Sequence, residues 1–324
     1  MNEMEKSDDF IVPKKSGNSG DDQQRAGAAR GADGGKEVGQ GELEAGHPRR
    51  TQGRKYGGQN GLRRVGAKAR RDSEKRSKDK QRFTNLLSHL RVDLFHEVYQ
   101  RLKKRAAAGV DGQSWADYGE NLEERLEDLQ DRVHRGGYHP PPVRRTYIPK
   151  ADGRQRPLGI PTIEDKIVQG AVQALLTPIY EEEFLEFSYG FRPGRNQHDA
   201  LDAIDEMLYG GKVNWVLDAD IRAYFDTIDH DWMLKMLEHR IGDRRLLRLI
   251  RRWLNAGIME EGKLLVSETG TPQGGKISPL LANVYLHYVL DLWAQREAKR
   301  LRGEMYVVRY ADDFLIGFQY ENEA

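Results

Sequence analysis

Cysteine is absent from the 324 residues, which excludes a disulfide framework and a Cys-ligated zinc centre and suits a reducing compartment. The chain has no apolar run of about eighteen residues, the length a membrane-spanning helix needs, and no apolar stretch near the N-terminus of the kind that directs secretion. A soluble, cytoplasmic protein without a membrane partner is therefore expected. Apolar residues are few, at 38%, and the mean hydropathy is −0.78. The length still allows two compact domains and a substantial core.

The formal net charge of +1 conceals an uneven distribution. Residues 1–48 carry ten Asp and Glu against six Lys and Arg, with abundant glycine. Residues 49–82 carry fourteen Lys and Arg against three acids. A block of that kind cannot form a core; it suits a phosphate backbone, or else merely solubilises. Residues 1–82 are expected to be disordered in isolation.

From Phe83 the pattern changes. Phe83, Leu86, Leu87 and Leu90, then Leu94, Phe95, Val98, Tyr99 and Leu102, recur at three- and four-residue spacings. This predicts two amphipathic helices, the second closed by Gly109-Val110-Asp111-Gly112. A third is predicted from Leu122 to Val133, ending near Gly136-Gly137. Asp152-Gly153 between two extended runs predicts a hairpin with Lys150 and Arg156 on neighbouring strands. Those cations could clamp a triphosphate or form an ordinary solvated edge. Thr162 with Asp165 predicts a capped helix that stops before Pro178.

Further on, Ser188-Tyr189-Gly190-Phe191-Arg192-Pro193-Gly194-Arg195 mixes arginine with aromatics, a combination that suits a nucleic-acid strand. Residues 213–221 alternate as a strand, placing Val216, Asp218 and Asp220 on one face. Asp229-His230-Asp231 reads as a helix cap or, less simply, as acid/base chemistry. Pro272-Gln273-Gly274-Gly275 leads to Ser278-Pro279, predicted as N-cap and first-turn residue of a buried helix. The loop lacks the Gly-Lys-Ser/Thr order of a Walker P-loop. Near the end, Tyr310-Ala311-Asp312-Asp313 falls between two short apolar runs, predicting a hairpin with both carboxylates at its turn. Adjacent carboxylates repel, so the pair is either a solvated turn or a site for a divalent cation.

In order and spacing, five motifs resemble the reverse transcriptases encoded by bacterial group II introns. They are residues 148–161, residues 189–195, residues 220–226, residues 272–279 and Tyr310-Ala311-Asp312-Asp313. The resemblance covers Phe83 to Phe318 and implies an α+β, right-hand polymerase fold. N-terminal helices and fingers would occupy residues 83–212. A palm, an antiparallel sheet backed by helices, would occupy residues 213–324. It further implies template-directed addition of dNTPs to a primer 3'-hydroxyl, with template RNA, a DNA primer and group II intron RNA as partners and two Mg2+ ions as cofactors. By the same resemblance Asp220, Asp312 and Asp313 are catalytic and hold the ions together with the Ile221 carbonyl. Lys150 and Arg156 contact the triphosphate, Phe225 rejects a ribose 2'-hydroxyl, and Gln273 lines the nucleotide pocket. Arg192, Arg195 and basic helices such as the predicted helical segment around Arg244 to Trp253 track template and primer phosphates. Family members continue into the rest of the palm, a thumb and a maturase domain, so the chain is expected to stop short of these. The alternative expectation is a polymerase-inactive, RNA-binding fragment of maturase type.

Overall fold

The computed structural model describes residues 82–149, 153, 155–265, 269–270 and 274–324. The expectations for the N-terminal stretch up to residue 81, for Lys150 and for Gln273 lie outside the described residues.

A 3-10 turn, Leu86–His89, precedes three helices: Val92–Gln100 (α1), Trp115–Gly119 (α2) and Leu122–Arg135 (α3). The turn stands where a full helix was predicted, because the backbone is tied sideways. Phe83 N donates to Arg240 O at 2.7 Å and Gly242 N to Phe83 O at 2.8 Å. Leu87 N donates to Asp243 Oδ2 at 2.9 Å. These bonds satisfy groups that a helical ladder would otherwise use. Helix α1 ends at Gln100, short of the predicted glycine stop. Ser114 and Asp117 form a reciprocal capping box for α2. Helix α3 closes at Gly136, whose φ of 75° needs a residue tolerant of the left-handed region.

Strands Val143–Pro149 (β1) and Gln155–Ile160 (β2) form the predicted hairpin, with Ile148 opposite Arg156. Helix Ile163–Tyr180 (α4) starts at a Thr162 cap and continues past Pro178, where a stop was predicted. In the last turn proline removes only one helical N–H, and the buried Ile179 and Tyr180 hold that turn against the core.

Helix Gln197–Gly210 (α5) leads to strand Trp215–Asp220 (β3), then to Tyr224–Thr227 (α6), His230–Glu238 (α7) and Arg244–Leu254 (α8). Asp229 caps α7 by accepting from Trp232 N at 2.8 Å. His230 Nδ1 lies 3.1 Å from Asn255 Oδ1, and Nε2 lies 2.5 Å from Gly270 O. The histidine is thus a buried structural bridge. Two three-residue strands follow, Ile258–Glu260 (β4) and Lys263–Leu265 (β5), giving the sheet order β2-β1-β4-β5 with β4 parallel to β1.

Helix Ser278–Leu286 (α9) passes through a π-helical turn, His287–Asp291, into Leu292–Ala298 (α10). Ser278 was expected to cap α9. Instead Ile277 occupies the cap position and Ser278 is the first helical residue, 4% exposed. Strands Met305–Tyr310 (β6) and Asp313–Phe318 (β7) form the second predicted hairpin, and β3 lies beside it in an antiparallel sheet of order β3-β7-β6. Helices α5 and α10 lie against β6. The fold is therefore α+β, and one apolar cluster runs from Phe83 through α4 and α8 to Leu286.

Candidate active site

The β6–β7 hairpin has a two-residue turn, Ala311-Asp312, closed by the pair Tyr310 and Asp313. The two carboxylates are thus split: Asp312 stands in the turn and Asp313 opens β7. Asp220, at the end of β3, is the direct cross-strand partner of Asp313. Strand alternation puts Asp218 on the same face as Asp220. The Asp313 carboxyl is pushed above its ordinary range by partial burial and then by the charges of Asp312, Asp220 and Asp218. A hydrogen bond with Asp220 adds to the effect. Like charges held this closely are a cost that a proton or a cation relieves.

Ala311 has φ 60°, in the left-handed region that alanine enters only under constraint. Two neighbours supply it. An ideal Cβ on Gly190 would lie 2.3 Å from Ala311 N, so the absence of a side chain there lets the 188–190 segment close over the turn. On the other face, the Arg309 Nη1 group donates to Ala311 O at 2.9 Å. Tyr189 N and Arg309 N also pair with Arg309 O and Phe187 O at 2.8 Å, covering the outer edge of β6.

The loop ahead of α9 approaches a different strand. Gly274 has φ 114°, and a Cβ there would lie 2.4 Å from Gly159 O on β2. Glycine is needed at this approach for both conformation and space.

A model of the reverse transcriptase (RNA-dependent DNA polymerase) family matches residues 148–324. The chain belongs to the reverse transcriptase family. Similarity to the group II intron-encoded protein LtrA of Lactococcus lactis subsp. cremoris is 39% identity over 216 residues, 65% of this chain and 36% of that relative. Protein YkfC of Escherichia coli K12 is 37% identical over 237 residues, 64% of this chain and 62% of the relative. An uncharacterized 91 kDa protein in the cob intron of Schizosaccharomyces pombe is 38% identical over 202 residues, 61% of this chain and 24% of the relative. These relatives support a group II intron reverse transcriptase/maturase. The chain spans less than two thirds of the length of each of the three.

In this member of the family Asp220, Asp312 and Asp313 come together at one end of the β3-β7-β6 sheet. Ile221 directly follows β3 and is half-buried, while Phe225 lies on α6, buried against Tyr224 with ring centroids 5.5 Å apart. Arg156 is exposed on β2, in the other sheet. Arg195 is turned back onto Glu186, pairing with its carboxylate and its carbonyl oxygen, and stacks over Tyr189.

Arg192 departs from its expected role at a phosphate. Its side chain is 4% exposed, bonded to Glu181 and to the carbonyls of Leu185 and Ser188, and it lies over Phe184. A guanidinium with these partners ties its own loop together and is withdrawn from solvent in this structure. One residue in the hairpin's own motif carries more than its sequence pattern suggested. Arg309 is fully buried, and its signal was a lone cation in an apolar strand beside the turn.

Among the described residues, no three His, Asp or Glu side chains are gathered into a ready-made metal cage. The Asp220 and Asp313 pair, with Asp312 adjacent, nevertheless has the hard oxygen donors and the uncompensated repulsion that a divalent cation suits.

Proposed function

We propose that this chain is the RNA-directed DNA polymerase core of a cytoplasmic group II intron system, with residues 83–212 as fingers and residues 213–324 as palm. It would extend a primer 3'-hydroxyl with dNTPs on an RNA template, in support of intron splicing and mobility. The observation that carries this reading is the register of Asp220 against Asp313, one residue from Asp312 in the turn.

Asp220, Asp312, Asp313 and the Ile221 carbonyl would hold two Mg2+ ions. When bound, such ions lower the pKa of the attacking hydroxyl and neutralise charge on the transferring phosphoryl group. The remaining roles belong to the chain. Lys150 and Arg156 would neutralise and orient the incoming triphosphate. Phe225, five residues after Asp220 and packed against Tyr224, would exclude a ribose 2'-hydroxyl by bulk. Gln273 would line the nucleotide pocket. Arg195 is the remaining arginine of its loop for a strand phosphate, provided that it leaves Glu186.

Primer extension on an RNA template with Mg2+ tests the reading. Asp220→Ala and Asp312→Ala should each abolish incorporation, and synthesis persisting in either variant overturns the assignment. A second reading, RNA binding without polymerisation, draws on the row of exposed arginines along α8. Salt-sensitive RNA binding with no incorporation under Mg2+ or Mn2+ would favour it.

A further inference from the structure

Arg309 is fully buried, and its partner Asp291, in the π-helical turn, is equally so. All five guanidinium donors are used. Nε donates to Asp291 Oδ1 at 2.7 Å and Nη2 to Asp291 Oδ2 at 2.7 Å. Nη2 also reaches Ser188 Oγ at 2.6 Å, and Nη1 reaches Asn283 Oδ1 at 3.1 Å and Ala311 O at 2.9 Å. Asn283 Nδ2 in turn donates to Gly190 O at 2.6 Å. One side chain thereby joins β6, the hairpin turn, α9, the π-helical turn and the 188–190 segment.

A buried ion pair is poor evidence of a stability role, because an apolar pair of similar volume usually stabilises a fold as well or better. What an apolar pair cannot do is hold the Ala311 carbonyl. That carbonyl belongs to the one turn residue with positive φ, and the next two residues are Asp312 and Asp313. Arg309 projects from the face opposite Asp313, as strand alternation requires. It therefore acts on the carboxylates through the backbone, without touching them. A π-turn supplies Asp291, and such irregular turns recur at functional sites.

We propose that Arg309 is a positioning residue: through Asp291 and the Ala311 carbonyl it fixes the turn from which Asp312 and Asp313 project, and so sets the affinity of the carboxylate set for divalent cations. This rests on the reading of Asp220, Asp312 and Asp313 as a cation site.

The test uses the full chain as wild type, Asp220→Ala, Arg309→Lys, and the double variant Arg309→Met with Asp291→Leu. Mn2+ affinity is measured by the paramagnetic resonance signal of the free ion, and melting temperature by circular dichroism. The double variant removes both buried charges but leaves the Ser188, Asn283 and Ala311 oxygens without their donor, so it should fold with a melting temperature somewhat below that of wild type. Its Mn2+ dissociation constant should nevertheless rise by about tenfold or more, the scale of loss that follows when the residues supporting metal ligands are removed. Arg309→Lys keeps the charge but lacks the planar five-donor fork, and should also weaken Mn2+ binding.

Folded variants that bind Mn2+ as wild type does overturn the proposal, as does failure of both variants to fold, which would make the cluster a structural one. Wild type that takes up no Mn2+ sensitive to Asp220→Ala overturns the cation reading itself and this assignment with it. The two failures are thus distinguishable.

Discussion

Asp165, in the first turn of α4, is 1% exposed. It accepts hydrogen bonds from three neutral donors, Tyr138 Oη at 2.9 Å, Trp253 Nε1 at 2.7 Å and Gln169 Nε2 at 2.8 Å. Burial pushes its carboxyl up to about 6, and the hydrogen bonds from Tyr138, Trp253 and Gln169 pull it partly back. The folded chain therefore binds this proton more tightly than the unfolded chain does. The stability so gained is full below the unfolded value and is lost as the pH rises through about 6. The two values differ by about two pH units, worth about 3 kcal/mol. Asp165→Asn removes the titration, so the stability difference between variant and wild type should shift in favour of the variant from pH 4.5 to pH 8 by about 2 kcal/mol, the remainder lying below pH 4.5 where the unfolded carboxyl also takes up its proton. Urea unfolding at several pH values measures it, and a constant difference would contradict the argument. From the sequence Asp165 was legible only as a capping residue. Its polar partners come from three separate segments that no local pattern connects.

Two helices show how differently a charged surface can be built. On α3, Arg132 pairs with Asp128 at 2.6 Å and Arg135 with Asp131 at 3.0 Å, so the outer face is balanced from within. On α8, Leu246, Leu247, Leu249, Ile250, Trp253 and Leu254 face the core, while Arg244, Arg245, Arg248 and Arg251 are exposed with no acid on the helix itself. Asp231 lies 3.3 Å from Arg251, and Asp243 lies 3.9 Å from Arg245. If the chain handles RNA as proposed, this stripe is a phosphate-binding surface. Replacing the four arginines with glutamine should weaken binding of a hairpin RNA similarly across sequences. The slope of log affinity against log salt should fall by about one for each phosphate no longer neutralised. Fluorescence anisotropy from about 50 to about 300 mM salt reads it, and an unchanged slope would refute the role. The basic character of the segment around Arg244 to Trp253 is plain in the sequence. Strands β4 and β5 are not, because three residues each are too few to show alternation and the pairing of β4 with β1 is set at long range.

At the scale of the molecule, the carboxylate sheet lies outside the main apolar cluster, which is built mainly by α1, α3, α4, α7, α8 and α9. The motifs that mark the site were legible because each needs particular residue types at fixed spacing. The supports beneath it were hidden: Ser188, Asn283, Asp291 and Arg309 come from three separate segments of the chain and meet only in the fold. The same sheet is unequally protected. The outer edge of β6 is covered by residues 187–189, whereas among the described residues no strand pairs with the outer edge of β3. Trp215, Val216 and Leu217 along that strand are 42%, 48% and 43% exposed, so apolar surface is open on both of its faces. An apolar strand with unpaired backbone groups invites edge-to-edge association, and a charge placed on it opposes that pairing. The chain should therefore self-associate as its concentration rises. Val216→Lys, which adds charge without displacing a buried group, should shift that onset to higher concentration with little change in melting temperature. Light scattering across a concentration series tests this, and self-association that is insensitive to the substitution would exclude the β3 edge as its cause.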